Sequence, residues 1–435
     1  MSSYVVKQTP GNVEWLMNDR FGMFIHFGAY SLAARHEWIK NYELIEEEKY
    51  DQYSKYFNPD LYDPREWARQ AKEAGMKYAV LTTKHHEGFC LFDSKYTDYK
   101  STNTPYGKDI VKEYVEAFRA EGLKVGFYYS LLDWHHPDFT IDRYHPRRKD
   151  PDAEQQSAKR DFSKYVEYMH NQVRELMTNY GKIDILWFDF SYTSEIEPWD
   201  GSIEPWMPQL GGKGKDDWKS EEMVKMVREL QPGIIINDRL QIDQDTWTPE
   251  QTQPTEWRKH NETGELVPWE VCQTFSGSWG YYRDELTWKS PEMLIHLLIN
   301  TVSYGGNLIM NVGPTARGYF DYRAEAALKV YGEWLKYNGR SIYGCTMAEP
   351  EFTAPEGTRL TQSNDESRLY VHLKEYPFGT LKLDNMYGKI DYVQFLHDAS
   401  EVLYTENSED GSVIFKLPVV KPNTIVPVLE IFLKS

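Results

Sequence analysis

At 435 residues the chain is long enough for two or three domains, with a core that needs no disulfide or metal staple. Its 67 acidic against 49 basic residues give a formal net charge of −18, which argues against nucleic acid or an anionic membrane as a partner, because both want a basic surface. Aromatic residues are 15% of the chain, with 32 Tyr and 14 Trp, enough for a large core and for a surface that stacks on flat apolar ligand faces, as carbohydrate sites do. The three cysteines, Cys90, Cys272 and Cys345, are too few and too widely spaced for a disulfide framework or a zinc knuckle. The opening "MSSYVVKQTPGN" has no basic region followed by an apolar run, and no stretch of 18 apolar residues occurs, so the expectation is a cytoplasmic protein that spans no membrane.

The first apolar run, "FGMFIHFG" (21–28), reads as a strand carrying His26 near its end, and "RHEWIK" behind it places Glu37 and Trp38 in a loop. A helix follows at 63–75, with Asp63 as cap, Pro64 at the first helical position and Glu66 three residues after the cap. A weak echo then runs along the chain. "EAGMKYAVLTT" (73–83), "AEGLKVGFYYS" (120–130) and "NYGKIDILWFD" (179–189) each read as a helix end, a Gly, a Lys and an apolar strand; "QPGIIIND" (231–238) is a looser copy. The helix before the second copy starts at Asp109. "PWEVCQTF" (268–275) and "GGNLIMNVG" (305–313) complete seven strands, mostly separated by helices, and no eighth is evident. Alternation of this kind predicts an α/β fold with a parallel sheet, a (β/α)8-type barrel over residues 1–345. From 346 to 435 the texture changes to short alternating runs such as "RLYVHLKE" and "GSVIFKLP", which predict a small all-β sandwich domain.

In such a barrel the chemistry sits at the C-terminal strand ends. Those ends carry His26, then His85 and His86 of "TTKHHEGF", Tyr129 and Trp134 of "FYYSLLDWHH", Asp189 of "IDILWFDF", Arg239 of "NDR" and Trp279 of "SWGYYRD". Trp187 and Asp189 share one face of their strand, so an aromatic platform and a carboxylate point into one pocket. Metal ligation is a poor fit: "HEWIK" has Lys40 where a zincin helix needs its second His, and adjacent histidines on an extended chain point to opposite sides. Neutral histidines with an arginine suit hydrogen bonds to several hydroxyl groups. No phosphate loop and no Gly-x-Ser-x-Gly elbow occurs. Glycoside hydrolysis would need a second carboxyl beside Asp189, and spacing leaves Glu250, Glu256, Glu270, Glu195 and Glu197 open for it.

At these residues the sequence resembles the α-L-fucosidases of glycoside hydrolase family 29. The resemblance runs in order from "WLMNDRFGMFIHFGAYS" through "YAVLTTKHHEGFCLFDS", "GFYYSLLDW", "ILWFD", "NDR", "WE" and "SWGYYRD" to "GGNLIMNVGPTARG". It implies a retaining exo-acting enzyme that needs no cofactor or metal, with Asp189 as nucleophile. It further implies a fucose pocket of His26, Glu37, Trp38, His85, His86, Tyr129, Trp187, Arg239 and Trp279. "TPEQ" resembles the segment that carries the acid/base in several members, which selects Glu250, while Glu270 of "WE" looks like a structural partner. The expected partner is a fucosylated oligosaccharide or glycoconjugate, with self-association possible. Phe190 departs from the pattern, standing where the family often has Gly, and the loop 191–218 is long and rich in Trp and Pro. The alternatives are a catalytically silent fucose-binding protein on the same barrel and a metal-dependent hydrolase using the histidines.

Overall fold

The computed structural model describes residues 3–192 and 211–434. Seven strands form one parallel sheet: β1 (Phe21–Ile25), β2 (Tyr78–Lys84), β3 (Lys124–Ser130), β4 (Ile185–Asp189), β5 (Ile235–Ile236), β6 (Glu270–Thr274) and β7 (Asn307–Val312). Their order is β5-β4-β3-β2-β1-β7-β6, which leaves β5 and β6 as the two edges of a curled sheet. The segment 246–250 fills the gap between them. Thr246 bridges Asn237 just beyond β5, while Trp247 and Glu250 bridge Trp269 and Cys272 on the β6 side, all in parallel sense. The eighth stave of the barrel is therefore an irregular one. Pro249 lies inside it and has no N–H to give to a ladder, although its carbonyl accepts from the Cys272 amide at 3.2 Å.

Local signals in the chain account for the flanking helices. Asp63 accepts from the Arg65 and Glu66 amides at the start of the helix Pro64–Glu73, and Asp109 accepts from the Lys112 amide at the start of Ile110–Ala120. Glu66 turns outward to Arg69 instead of back onto its cap. Gly75 and Gly122 take left-handed conformations (φ 89° and 77°) where these helices end and the strands begin.

Side chains alternate about the sheet. Met23, Ile25, Leu186 and Phe188 pack outward against the helices, whereas Phe24, Tyr78, Val80, Tyr128, Trp187 and Ile309 fill the barrel interior. Gly22 makes that filling possible, since any Cβ there would lie 2.4 Å from the Tyr78 ring.

The remaining chain is antiparallel. β8 (Cys345–Met347), β9 (Thr358–Ser363), β10 (Arg368–Leu373), β12 (Ile390–Phe395) and β15 (Val428–Leu433) form a five-stranded sheet in the order β12-β15-β10-β9-β8. β11 (Thr380–Leu383), β14 (Ser412–Lys416) and β13 (Tyr404–Asn407) form a second sheet in that order, and an apolar cluster including Val371, Leu383, Phe415 and Ile431 joins the two. Among the described residues no helix is long and apolar enough to cross a membrane.

Arg20, 1% exposed, fastens the closed end of the barrel to the β domain. Its guanidinium donates to the carbonyls of Gly305 (2.7 Å) and Cys345 (2.8 Å). Arg20→Met would strand these two buried carbonyls, so it should lower unfolding stability in urea by ~2–6 kcal/mol, at about 1–3 kcal/mol for each orphaned group. A loss below ~1 kcal/mol would show that the fastening is not needed.

Candidate active site

The C-terminal strand ends open into a cavity of about 790 Å³. β4 delivers Asp189 to its floor. The carboxylate is 9% exposed and compensated on both oxygens: Tyr128 donates to Oδ2 at 2.7 Å and Arg239 Nη1 to Oδ1 at 2.7 Å. Asp184, at the other end of the same strand segment, instead accepts from the Val125 amide at 3.0 Å.

Arg239 sits in the turn Asp238–Leu240 just after β5. Its Nε donates to Thr248 Oγ1 and its Nη2 to the Thr248 carbonyl, both at 3.2 Å, so the irregular stave holds it in place. The guanidinium lies over the Trp187 ring, 4.5 Å from its centroid. Nη1 also reaches Glu250 Oε2 at 2.9 Å. Burial alone would pull this guanidinium down, but the two carboxylates outweigh it and hold the group well above its ordinary value. Because one nitrogen contacts both acids, the two oxygens can be no further apart than the sum of those contacts. The two acids are therefore neighbours across one cation.

Hydrogen-bond partners fix the tautomers of two histidines. Asn311 donates its amide to the Trp279 carbonyl (2.6 Å), which leaves its oxygen to accept from His26 Nδ1 (2.6 Å). Ser130 gives its proton to the Leu132 carbonyl (2.9 Å), so His86 Nδ1, 2.6 Å away, is the donor to that hydroxyl. Both rings thus carry a proton on Nδ1 and a lone pair on Nε2. Burial, and then the neighbouring His85, pushes both well below the ordinary histidine range, so they are neutral. His86 Nε2 is 3.9 Å from Asp189 Oδ2.

Glu37 is fully buried in the cavity wall and accepts from the Gly280 amide at 2.7 Å, which ties the first loop to the one carrying Trp279. Trp279 packs against His26 at 5.1 Å and Trp38 against His86 at 5.0 Å. His26, Glu37, Trp38, His85, His86, Trp187, Asp189, Arg239, Glu250 and Trp279 all line the cavity.

Tyr129 does not. Its hydroxyl donates to Gln172 at 2.8 Å in the layer between sheet and helices, and Tyr128 takes the place expected for it. The reason is register. Tyr128 pairs with Trp187 and Ser130 with Asp189, so the inward parity of β3 falls on even numbers. Phe24, His36, Tyr42, Phe190 and Cys272 also line the cavity and were not expected there as site residues. Phe190 is left-handed (φ 79°) and is braced by Trp38, His86, Tyr144 and Tyr192 at 4.9–5.4 Å. Among the other carboxyls considered, Glu256 is exposed outside the cavity, and Glu195 and Glu197 lie outside the described residues.

Glu270 is buried below the floor, where it accepts from Trp187 Nε1 at 3.2 Å and from the Tyr78 hydroxyl. Burial raises its carboxyl to about 7, against the opposing effect of those two hydrogen bonds. Among the described residues one grouping has metal-ligand geometry, Glu47, Asp51 and His135, and none of the three lines the cavity. Lys40 already pairs with Glu47 there at 2.8 Å.

A parallel barrel with two carboxyls held at one guanidinium in its C-terminal mouth is the type of site that glycoside hydrolases use. The sequence profile of the Alpha-L-fucosidase family matches residues 5–340, and the chain belongs to that family of glycoside hydrolases. Among its relatives is the plasma alpha-L-fucosidase of Homo sapiens, 30% identical over 83% of this chain and 76% of that protein. The solved alpha-L-fucosidase isoenzyme 1 from Paenibacillus thiaminolyticus superposes with a TM-score of 0.88 at 42% identity, covering 97% of this chain and 99% of that one. A Bacteroides thetaiotaomicron alpha-L-fucosidase, solved as a trapped covalent intermediate with a 2-fluoro-fucosyl fluoride, superposes at 0.80 with 26% identity over the whole of both chains.

Glu270 makes stability depend on pH in a defined direction. Its ordinary value is 4.5 and its folded value about 7, so between these the folded state holds a proton that the unfolded state has lost. Stability therefore falls as pH rises through this window, by roughly 3 kcal/mol in all. Glu270→Gln keeps an acceptor for Trp187 without the charge. Urea unfolding at pH 5 and pH 7.5 should show the wild type losing about that much more stability than the variant; parallel losses would refute the assignment.

Proposed function

We propose that the chain is a retaining exo-α-L-fucosidase that releases terminal α-linked L-fucose from oligosaccharides or glycoconjugates, with Asp189 as nucleophile and Glu250 as acid/base. The observation that carries this reading is the single Arg239 nitrogen shared by the two carboxylates. Asp189 attacks the anomeric carbon as the glycosidic C–O bond breaks, and the leaving oxygen takes a proton from Glu250. Water then attacks the fucosyl ester, giving its proton to Glu250 and releasing Asp189. The Glu250 side chain is 42% exposed, so it can exchange protons with solvent between the steps. The trapped intermediate of the Bacteroides relative supports the covalent course.

Recognition in this reading is by hydrogen-bond acceptors. The Nε2 lone pairs of His26 and His86 and the carboxylate of Glu37 accept from ring hydroxyls, while Trp279 and Phe24 pack on the apolar face and methyl group. Arg239 and Tyr128 hold Asp189 oriented, one on each carboxylate oxygen.

The test is hydrolysis of an aryl α-L-fucoside with and without azide. Asp189→Ala should be inactive without azide and give β-fucosyl azide when azide replaces the missing nucleophile, and Glu250→Ala should lose ~10²–10⁴-fold on poor leaving groups and yield α-fucosyl azide when azide is present. Glu250→Ala giving the β-anomer would sink the assignment of Glu250, and a wild type that binds L-fucose without turnover would mark a silent binding protein. A second comparison reads the β3 register. Tyr128→Phe removes a hydrogen bond to a charged group and should lower kcat/KM by ~10–100-fold, whereas Tyr129→Phe should leave kcat/KM within about threefold. Equal effects would contradict the placement of Tyr128.

A further inference from the structure

Glu87 follows the paired histidines directly and is fully buried, yet neither of its carboxylate oxygens has a hydrogen-bond partner among the described residues. His85 Nδ1 is likewise buried and unpartnered, and it lies 3.6 Å from Glu87 Oε2. The nearby cation Lys84 is committed to Asp133 and the Leu132 carbonyl. The backbone leaves room for the carboxylate: a Cβ on Gly28, in the loop after β1, would stand 2.8 Å from Glu87 Oε1. Two more unpartnered buried groups, the hydroxyls of Tyr50 and Tyr99, belong to the same surroundings. Burial first, and then the charge of Glu87, raises both phenols well above their ordinary value.

We propose that Glu87 is a positioning residue of the active site: it accepts the Nδ1 proton of His85 and so turns the Nε2 lone pair of that ring toward the bound sugar. An unpaired carboxylate is among the most unfavourable groups to bury, and a carboxylate can only accept. The proton must come from a neighbour, and His85 Nδ1 is the ring nitrogen facing it. A distance of 3.6 Å is too long for a hydrogen bond, but a small ring rotation closes it, or one enclosed water bridges it. The direct link requires the Nδ1–H tautomer, because a carboxylate can only accept. His26 and His86 already show that tautomer, each with its own Nδ1 acceptor. With His85 the cavity gains a third converging lone pair, so the site selects a ligand that offers three hydroxyl donors. The identity of that ligand as L-fucose rests on the function proposed above; the tautomer does not.

The experiment is ring-¹⁵N NMR of the full-length protein labelled at histidine, recorded without sugar, with His85 identified by the signals lost in His85→Asn. The wild type should show His85 protonated on Nδ1. Glu87→Gln, which keeps an acceptor oxygen, should retain that form, and Glu87→Met should shift it to Nε2–H. In parallel, Glu87→Met should weaken inhibition by L-fucose by about tenfold or more, and Glu87→Gln by a smaller factor. A wild-type His85 protonated on Nε2 overturns the proposal outright, and that spectrum decides even where Glu87→Met does not fold. So does a folded Glu87→Met that keeps both the tautomer and the fucose affinity. Failure of the fucosidase reading would show separately, as a wild type that neither binds L-fucose nor cleaves the aryl fucoside.

Discussion

Arg239 is the group on which the rest of the site depends. A carboxylate at the end of an apolar strand is unfavourable unless its charge is matched, and Asp189 is matched by Arg239 on one oxygen and Tyr128 on the other. Arg239 is itself fixed by two bonds to Thr248, which makes it the polar crosspiece of the barrel's weakest seam, between β5 and β6. Its flat face rests on Trp187, and Trp187 is held from below by Glu270. Removing the guanidinium would leave two carboxylates facing one another and free the platform beneath them.

With that cation committed to the two acids, the remaining polar groups of the cavity meet a ligand mostly through lone pairs. His26 and His86 are neutral, and each has its Nδ1 proton engaged by the protein. Such a wall has little use for an anionic ligand and suits a neutral polyol, which fits a chain of net charge −18. The aromatic surface interleaved with these groups, Phe24, Trp38 and Trp279, supplies the apolar half of the recognition.

Most of the barrel was legible in the chain because its signals are local. The Asp63 and Asp109 caps, the left-handed glycines and the apolar runs mark each helix and strand without reference to the rest of the molecule. What was not legible depends on pairing between distant segments. The stave 246–250 contains a proline and is joined to its neighbours by single bridges, so it has none of the periodicity of a strand. The choice between Tyr128 and Tyr129 required the β3–β4 register, which two adjacent tyrosines in one apolar run do not specify. The Gly that the resembled family often has at position 190 was the one hint of a left-handed backbone there; Phe190 itself gives none, and four aromatic neighbours enclose its ring. Position alone left Glu270 open as a catalytic carboxyl; only the resemblance of its "WE" motif marked it as a structural partner.

The irregular stave has a mechanical consequence. Asp189 ends a strand that is continuously laddered to β3, whereas Glu250 rides on a segment anchored at separate points. The two carboxyls therefore sit on mounts of unequal stiffness. In the roles proposed above, the nucleophile must meet one carbon of one sugar at a fixed angle, and a rigid mount enforces that. On the same proposal the proton donor follows the leaving oxygen of whatever the sugar is attached to, and a compliant mount suits leaving groups of different shape without disturbing the alignment at the anomeric carbon.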